Sequence, residues 1–178
     1  MITFKAQPYT IGHFTIVHLP KEASAKLPSR GQAMVEGRVG GVPIKFPLEP
    51  DGRGSHWFAL DAKLQKAAKP DAAGSIPVAI EPTKDWTEPD VPVDFRAAID
   101  AHPELHEMWA TITPLARWEW VRWTRSTNSA ETRARRIEVA ISKMQNGERR
   151  PCCWNRNLST EPAVSKSGAL IGPDGAIV

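Results

Sequence analysis

Between Thr132 and Arg156 the chain gathers six of its arginines, both of its cysteines and one of its tryptophans. Thr132-Arg133-Ala134-Arg135-Arg136 opens a helix-like run, and Gly147-Glu148-Arg149-Arg150-Pro151-Cys152-Cys153-Trp154-Asn155-Arg156 follows it. Two chemistries suit these residue types. A guanidinium presents its donors as a rigid fork matched to carboxylate or phosphate, so the arginines are candidates for holding an anion. A thiolate is a nucleophile whose formation is favoured beside cations, so Arg149 and Arg150 are candidates for activating Cys152 or Cys153. Adjacent side chains face different directions in any regular backbone, and a disulfide between neighbours is strained, so the pair does not resemble a C-x-x-C redox motif. Packed inert thiols, a redox-sensitive or nucleophilic thiol, and metal ligation all remain open for them.

The elements that position these groups follow from periodicity. Arg133 precedes Ile137 by four residues and Arg136 precedes Ala140 by four, so both lean toward the apolar face of their helix while Arg135 points away. A guanidinium there must be paired or stacked. Trp118, Trp120 and Trp123 on the preceding helix supply aromatic faces, and Glu119 a carboxylate. The arrangement reads either as a salt bridge locking two helices or as a pocket in which Trp120, Trp123, Arg133 and Arg136, with Arg149 and Arg150, take a small anionic or amphipathic ligand.

Elsewhere the signals are weaker. His102 and His106 have the spacing of a helical metal pair, but Pro103 makes His102 a cap residue and spoils the geometry, so no metal is assigned. His13, His18 and His56 are isolated and read as surface or packing residues. Pro50-Asp51-Gly52-Arg53-Gly54 reads as a β-turn in preference to an anion-binding nest. A Walker loop, a dinucleotide fingerprint, a G-x-S-x-G elbow and an H-E-x-x-H helix are all missing from the sequence. No cofactor is expected, and an enzymatic role is left open with the balance against it.

The N-terminal half reads as six short strands: Thr3 to Ala6, Phe14 to Leu19, Ala33 to Val39, Val42 to Leu48, His56 to Leu60 and Ser75 to Glu81. Gly40-Gly41 joins two of them as a hairpin turn, and Val42, Ile44, Phe46 and Leu48 alternate. A strand, short helix and strand unit recurs, which favours a small closed barrel over two thin sheets. Prolines at 43, 47 and 77 require edges or bulges. The Pro-rich run from Pro82 to Pro92 is a linker. Beyond it come a helix capped by Asp94 and running to Ile99, one starting at His102-Pro103, one opening on Thr113-Pro114 and running to about Arg125, and one opening on an Asn128/Glu131 capping box and stopping at Asn146-Gly147. The expected fold is therefore α+β: a six-stranded β-barrel over residues 1–84, a helical domain over 91–150, and an irregular tail over 151–178 anchored through Ala169-Leu170-Ile171.

With 178 residues, 23 Lys and Arg against 20 Asp and Glu, and a net charge of +3, the chain is an ordinary globule with only a mild basic excess. Nucleic-acid binding is disfavoured on charge but stays open. No stretch approaches the ~20 apolar residues of a membrane span, and adjacent cysteines make no disulfide framework. A cytoplasmic monomer or homodimer is expected.

Two stretches carry a family resemblance. Val35-Glu36-Gly37-Arg38-Val39-Gly40-Gly41-Val42-Pro43-Ile44 with Leu48-Glu49-Pro50-Asp51-Gly52-Arg53-Gly54 resembles an uncharacterised β-barrel domain of bacteria and archaea. That implies a double-split barrel related to AbrB-like and MazE-like transcription factors. Val121-Arg122-Trp123 and Glu131-Thr132-Arg133-Ala134-Arg135-Arg136-Ile137, continuing to the Arg-Arg-Pro-Cys-Cys ending, resemble the YdeI/OmpD-associated, or bacteriocin-protection, family. The resemblance spans about residues 1–155 and implies bacterial stress tolerance without an active site or cofactor. Three functions are thereby expected in order: a non-enzymatic binder using a Trp/Arg-lined cleft between the domains, a thiol-based redox or detoxifying activity at Cys152 and Cys153, and a DNA-binding regulator built on the barrel.

Overall fold

The computed structural model describes residues Met1–Val178. Two compact units emerge: Met1–Trp86 with Arg156–Ser159 and Ala163–Val178, and Thr87–Asn155 with Thr160–Pro162.

The first unit is built on seven antiparallel strands in the order β1-β7-β4-β5-β6-β3-β2. They are β1 (Ile2–Ala6), β2 (Tyr9–Ile11), β3 (Phe14–His18), β4 (Ala33–Val39), β5 (Val42–Pro50), β6 (His56–Leu60) and β7 (Ile76–Pro82), with short helices α1 (Lys21–Ser24) and α2 (Ala62–Ala67). β1 and β2 occupy opposite edges, yet only Gln7 and Pro8 separate them in sequence. Such a link reaches roughly 10 Å at full extension. The sheet must therefore curl until its edges approach, and the result is a half-barrel.

The expected α+β class is present, but in place of the expected closed barrel of six strands stands a curled half-barrel of seven. The added strand, Tyr9–Ile11, is three residues long and pairs with β3 around Gly12, whose φ is 57°. It is too short to show alternation, so only the glycine hinted at it.

Local chemistry accounts for the sheet's irregularities. Over residues 42–48 β5 pairs with β4 alone, joining β6 only at Glu49 and Pro50. Pro43 and Pro47 share a parity and lack an N–H, so both turn toward the open side of the strand. Gly37 has a φ of 150°, and a Cβ there would lie 2.1 Å from the Ala79 carbonyl oxygen of β7. Only glycine permits β4 and β7 to approach so closely at that point. Val17, Val35, Val39, Leu48 and Ile80 fill the interior, with Leu27 and Leu64 packed against it.

The tail is not irregular throughout. Ser165–Lys166 (β8) and Ala169–Leu170 (β9) form a small hairpin. Val164 and Leu170 are fully buried in a cluster with Ile16 and Trp57, and the Leu170 N–H donates to the Asp51 carbonyl at 2.8 Å. The anchoring expected at Ala169-Leu170 is thus observed. Gly52 makes room for it: a Cβ at that position would sit 2.2 Å from the Gly168 carbonyl oxygen.

The second unit comprises α3 (Val93–Asp100), a 3₁₀ turn at Pro103–Leu105, α4 (His106–Thr111), α5 (Pro114–Arg125) and α6 (Ala130–Gln145). Thr113 caps α5 as expected, its hydroxyl accepting from the Ala116 N–H at 3.2 Å. Two cap expectations are corrected. α3 starts at Val93 with Pro92 before it, so Asp94 lies inside its first turn, and Ser129, not Asn128, caps α6 by accepting from the Thr132 N–H. Phe95, Trp109, Trp120, Ile137, Ala140 and Met144 form the core, with Phe95 and Trp109 meeting edge to face at 5.7 Å. No helix of the chain is long and apolar enough to cross a membrane.

Candidate functional site

The arginines that lean toward the core of the second unit each have partners. Arg133 grips the Asp94 carboxylate with two hydrogen bonds, of 2.5 and 2.7 Å, which ties α6 to α3 and holds the Asp94 carboxyl below its ordinary range. Arg136 donates to the Trp123 carbonyl at 3.1 Å and to the Ser126 hydroxyl, closing the end of α5. Arg150 reaches Glu119 with two bonds of 2.6 Å. Glu119 therefore pairs with an arginine that follows α6. Arg149 donates to the Thr111 hydroxyl at 3.3 Å. Trp120 is completely buried, its indole N–H donating to the Arg149 carbonyl at 3.3 Å, while Trp123 is half-buried and packs edge to face on it. Trp118 donates to the Thr87 carbonyl and Arg117 pairs with Glu88, so the segment before α3 is fastened to α5.

A second constellation forms where α6 ends. Gly147 adopts a φ of 86°, its N–H bonds to the Met144 carbonyl, and the Glu148 N–H bonds back to the Lys143 carbonyl. These two bonds make a Schellman cap, which reverses the chain. Residues 149–154 then return across the unit, held by Arg150 on Glu119 and by Trp154, whose ring lies 5.2 Å from the buried Arg122 guanidinium. Both cysteines on this segment are exposed.

The backbone there departs from regularity. Cys153 has a φ of 64°, a left-handed conformation seldom adopted outside glycine and asparagine. The kink overturns the expectation that neighbouring cysteines diverge: Cys153 Sγ donates to Cys152 Sγ at 2.9 Å. Lys143 Nζ donates to the same Cys152 sulfur at 3.4 Å while also meeting the Glu148 carboxylate at 3.2 Å. Hydrogen bonding from Cys153 and then from Lys143 lowers the Cys152 thiol pKa, and the same bond raises that of Cys153. One sulfur is thus biased toward thiolate and its neighbour toward thiol. The nearby cation is Lys143, which nothing in the Arg149-Arg150 adjacency indicated. The one available signal was a lysine in the last turn of a helix that a glycine then reverses.

The first unit holds a buried polar cluster that sequence reading treated as isolated residues. His56 is fully buried and hydrogen-bonds the Gly31 carbonyl through Nε2 at 2.7 Å and Ser24 Oγ through Nδ1 at 2.7 Å. A carbonyl only accepts, so in the neutral ring Nε2 carries the proton and Ser24 donates to Nδ1. Burial lowers the His56 pKa. Ser24 is also fully buried, and Arg30 donates to its hydroxyl and carbonyl, so this pair fastens α1 to β6 and offers no substrate access. Asp51 receives the Arg53 and Ser55 N–H groups on Oδ1 and His18 on Oδ2, which fills the turn's own nest with a carboxylate.

Residues 88–147 match the model of the bacteriocin-protection, YdeI or OmpD-associated family, and residues 4–80 match that of a domain of unknown function, DUF1905. No curated protein and no solved structure matches the chain. The curled sheet and the helical unit are accordingly a DUF1905 domain followed by a YdeI/OmpD-associated domain.

Proposed function

We propose that Cys152 and Cys153 form a reactive thiol centre, giving the chain a thiol-based redox or detoxifying activity. The observation that carries this reading is the convergence on Cys152 Sγ of a lysine ammonium at 3.4 Å and a neighbouring thiol at 2.9 Å, at an exposed position. Thiolate is the reactive form, and both donors stabilise it. A left-handed non-glycine residue at the same place adds support, because such conformations collect at functional sites. The arginines lend less to the ligand-binding alternative, since Arg133 and Arg150 each already hold a carboxylate in both arms of the fork. Bacteriocin protection, the role in the family's description, fits a chain that intercepts damaging agents.

Alkylation by iodoacetamide across pH, read residue by residue by mass spectrometry, tests this. Cys152 is expected to react at lower pH than Cys153, and Lys143→Met is expected to move the Cys152 profile upward. A Cys152 that titrates like a free cysteine at about 8.5, with or without Lys143, removes the proposal.

A further inference from the structure

The separation of the two sulfurs sets which partner the dithiol accepts. Neighbouring Cα atoms lie about 3.8 Å apart across a trans peptide, short of the roughly 4.4–6.8 Å that relaxed disulfides span. The chain has no cis peptide bond, so this limit applies between Cys152 and Cys153. Direct oxidation would close the sulfurs from 2.9 Å to about 2.04 Å within a cramped ring. Inserting one atom does the opposite. A centre bonded to each sulfur at about 2.3 Å holds them roughly 3.3–3.8 Å apart, an opening of under ~1 Å from the observed 2.9 Å that exposed side chains accommodate by rotation.

The rest of the surroundings narrows the class. Nowhere does the chain assemble three or more His, Cys, Asp or Glu side chains fit to hold an ion, and the nearest carboxylate, Glu148, is bonded to Lys143. A tetrahedral zinc site, with its three or four protein ligands, is not served. A soft three-coordinate centre that brings its own third substituent needs only two thiolates.

We propose that Cys152 and Cys153 chelate trivalent, thiophilic arsenic-class electrophiles, each sulfur forming one bond to the central atom. This rests on the thiol-centre reading above and names its substrate class. With the diol form of phenylarsine oxide, two As–O bonds break and two As–S bonds form. The thiol protons leave with the hydroxyls as two waters, arsenic stays trivalent and no sulfur is oxidised.

The test is intact-mass analysis of the reduced full chain with equimolar phenylarsine oxide, challenged first with excess monothiol and then with dimercaptopropanol. A second thiol bonding intramolecularly raises retention by about 10²–10⁴-fold. The wild type is expected to keep one phenylarsenic group through the monothiol challenge and release it to the dithiol. Cys152→Ser and Cys153→Ser, both at exposed positions, should each lose it at least ~100-fold more readily. Retention by either single variant equal to wild type overturns the chelate. Loss from the wild type to monothiol, while Cys152 alkylation still depends on Lys143, overturns the chelate and leaves the nucleophilic thiol standing. Loss together with ordinary alkylation overturns both.

Discussion

Arg150→Ala isolates one of the contacts that hold the thiol-bearing segment to α5. The Glu119 side chain is 5% exposed and that of Arg150 46%, so the substitution takes a bidentate cationic partner, itself half in water, away from a buried carboxylate. Breaking a buried ion pair from one side costs about 3–5 kcal/mol. Water entering where the guanidinium stood recovers part of this, and we take about 2–3 kcal/mol as the expected loss. For a unit of this size that corresponds to a fall in melting temperature of roughly 10–20 °C. Urea and thermal unfolding followed by helical circular dichroism report it. Molar salt, with a Debye length of about 3 Å, should narrow the gap between wild type and variant only in part, because the Glu119 end of the pair is buried. A loss below ~0.5 kcal/mol, the size of an ordinary surface change, would refute the reasoning and show that Glu119 does not depend on Arg150.

Two further outcomes follow from the first unit. His56 has its folded pKa lowered by burial, so below the unfolded value of about 6.5 the unfolded chain binds a proton that the folded chain refuses. Stability therefore falls on acidification from about pH 6.5 down to the folded pKa, by up to ~1.4 kcal/mol per pH unit; urea midpoints at successive pH values should show this slope, and His56→Gln should flatten it. Gly52→Ala places a Cβ 2.2 Å from the Gly168 carbonyl at a φ of 77°, where only backbone stands to yield, whereas at Gly54, φ 97°, nothing lies within 4 Å. The first should cost at least about 2 kcal/mol and speed proteolysis of the tail, the second about 1 kcal/mol of conformational strain without loosening it; equal proteolysis of the two variants would count against the tail's docking.

Patterns confined to a few residues were legible in the sequence. The alternation from Val42 to Leu48 became β5, Gly40 and Gly41 took φ values of 57° and 84° in the hairpin, and Thr113-Pro114 opened α5. Helix projection placed Arg133 and Arg136 near the core side, because facing depends on spacing alone. Partner choice depends on tertiary approach, and there the sequence was silent. Arg133 joins Asp94 at 39 positions' distance and Arg150 joins Glu119 at 31, with nothing local to prefer these over the reverse. Asp94, read as a cap, was needed elsewhere. The thiol pair was misjudged for the same reason, since the Cys153 backbone conformation follows from how the Pro151 to Trp154 segment is tied down at both ends.

The division of the chain has a consequence for its synthesis. The strip that covers Ile16 and Trp57 comes from Val164 and Leu170, beyond the whole helical segment Thr87–Asn155. At about 5–20 residues per second, the ribosome delivers every residue of the helical core before it delivers that strip. The β1 to β7 pairing, Ile2 with Ile80, likewise waits for a partner far along the chain, whereas helical contacts are mostly local and close quickly. Every residue of the helical core is thus synthesised while the apolar cluster of the first unit still lacks its cover.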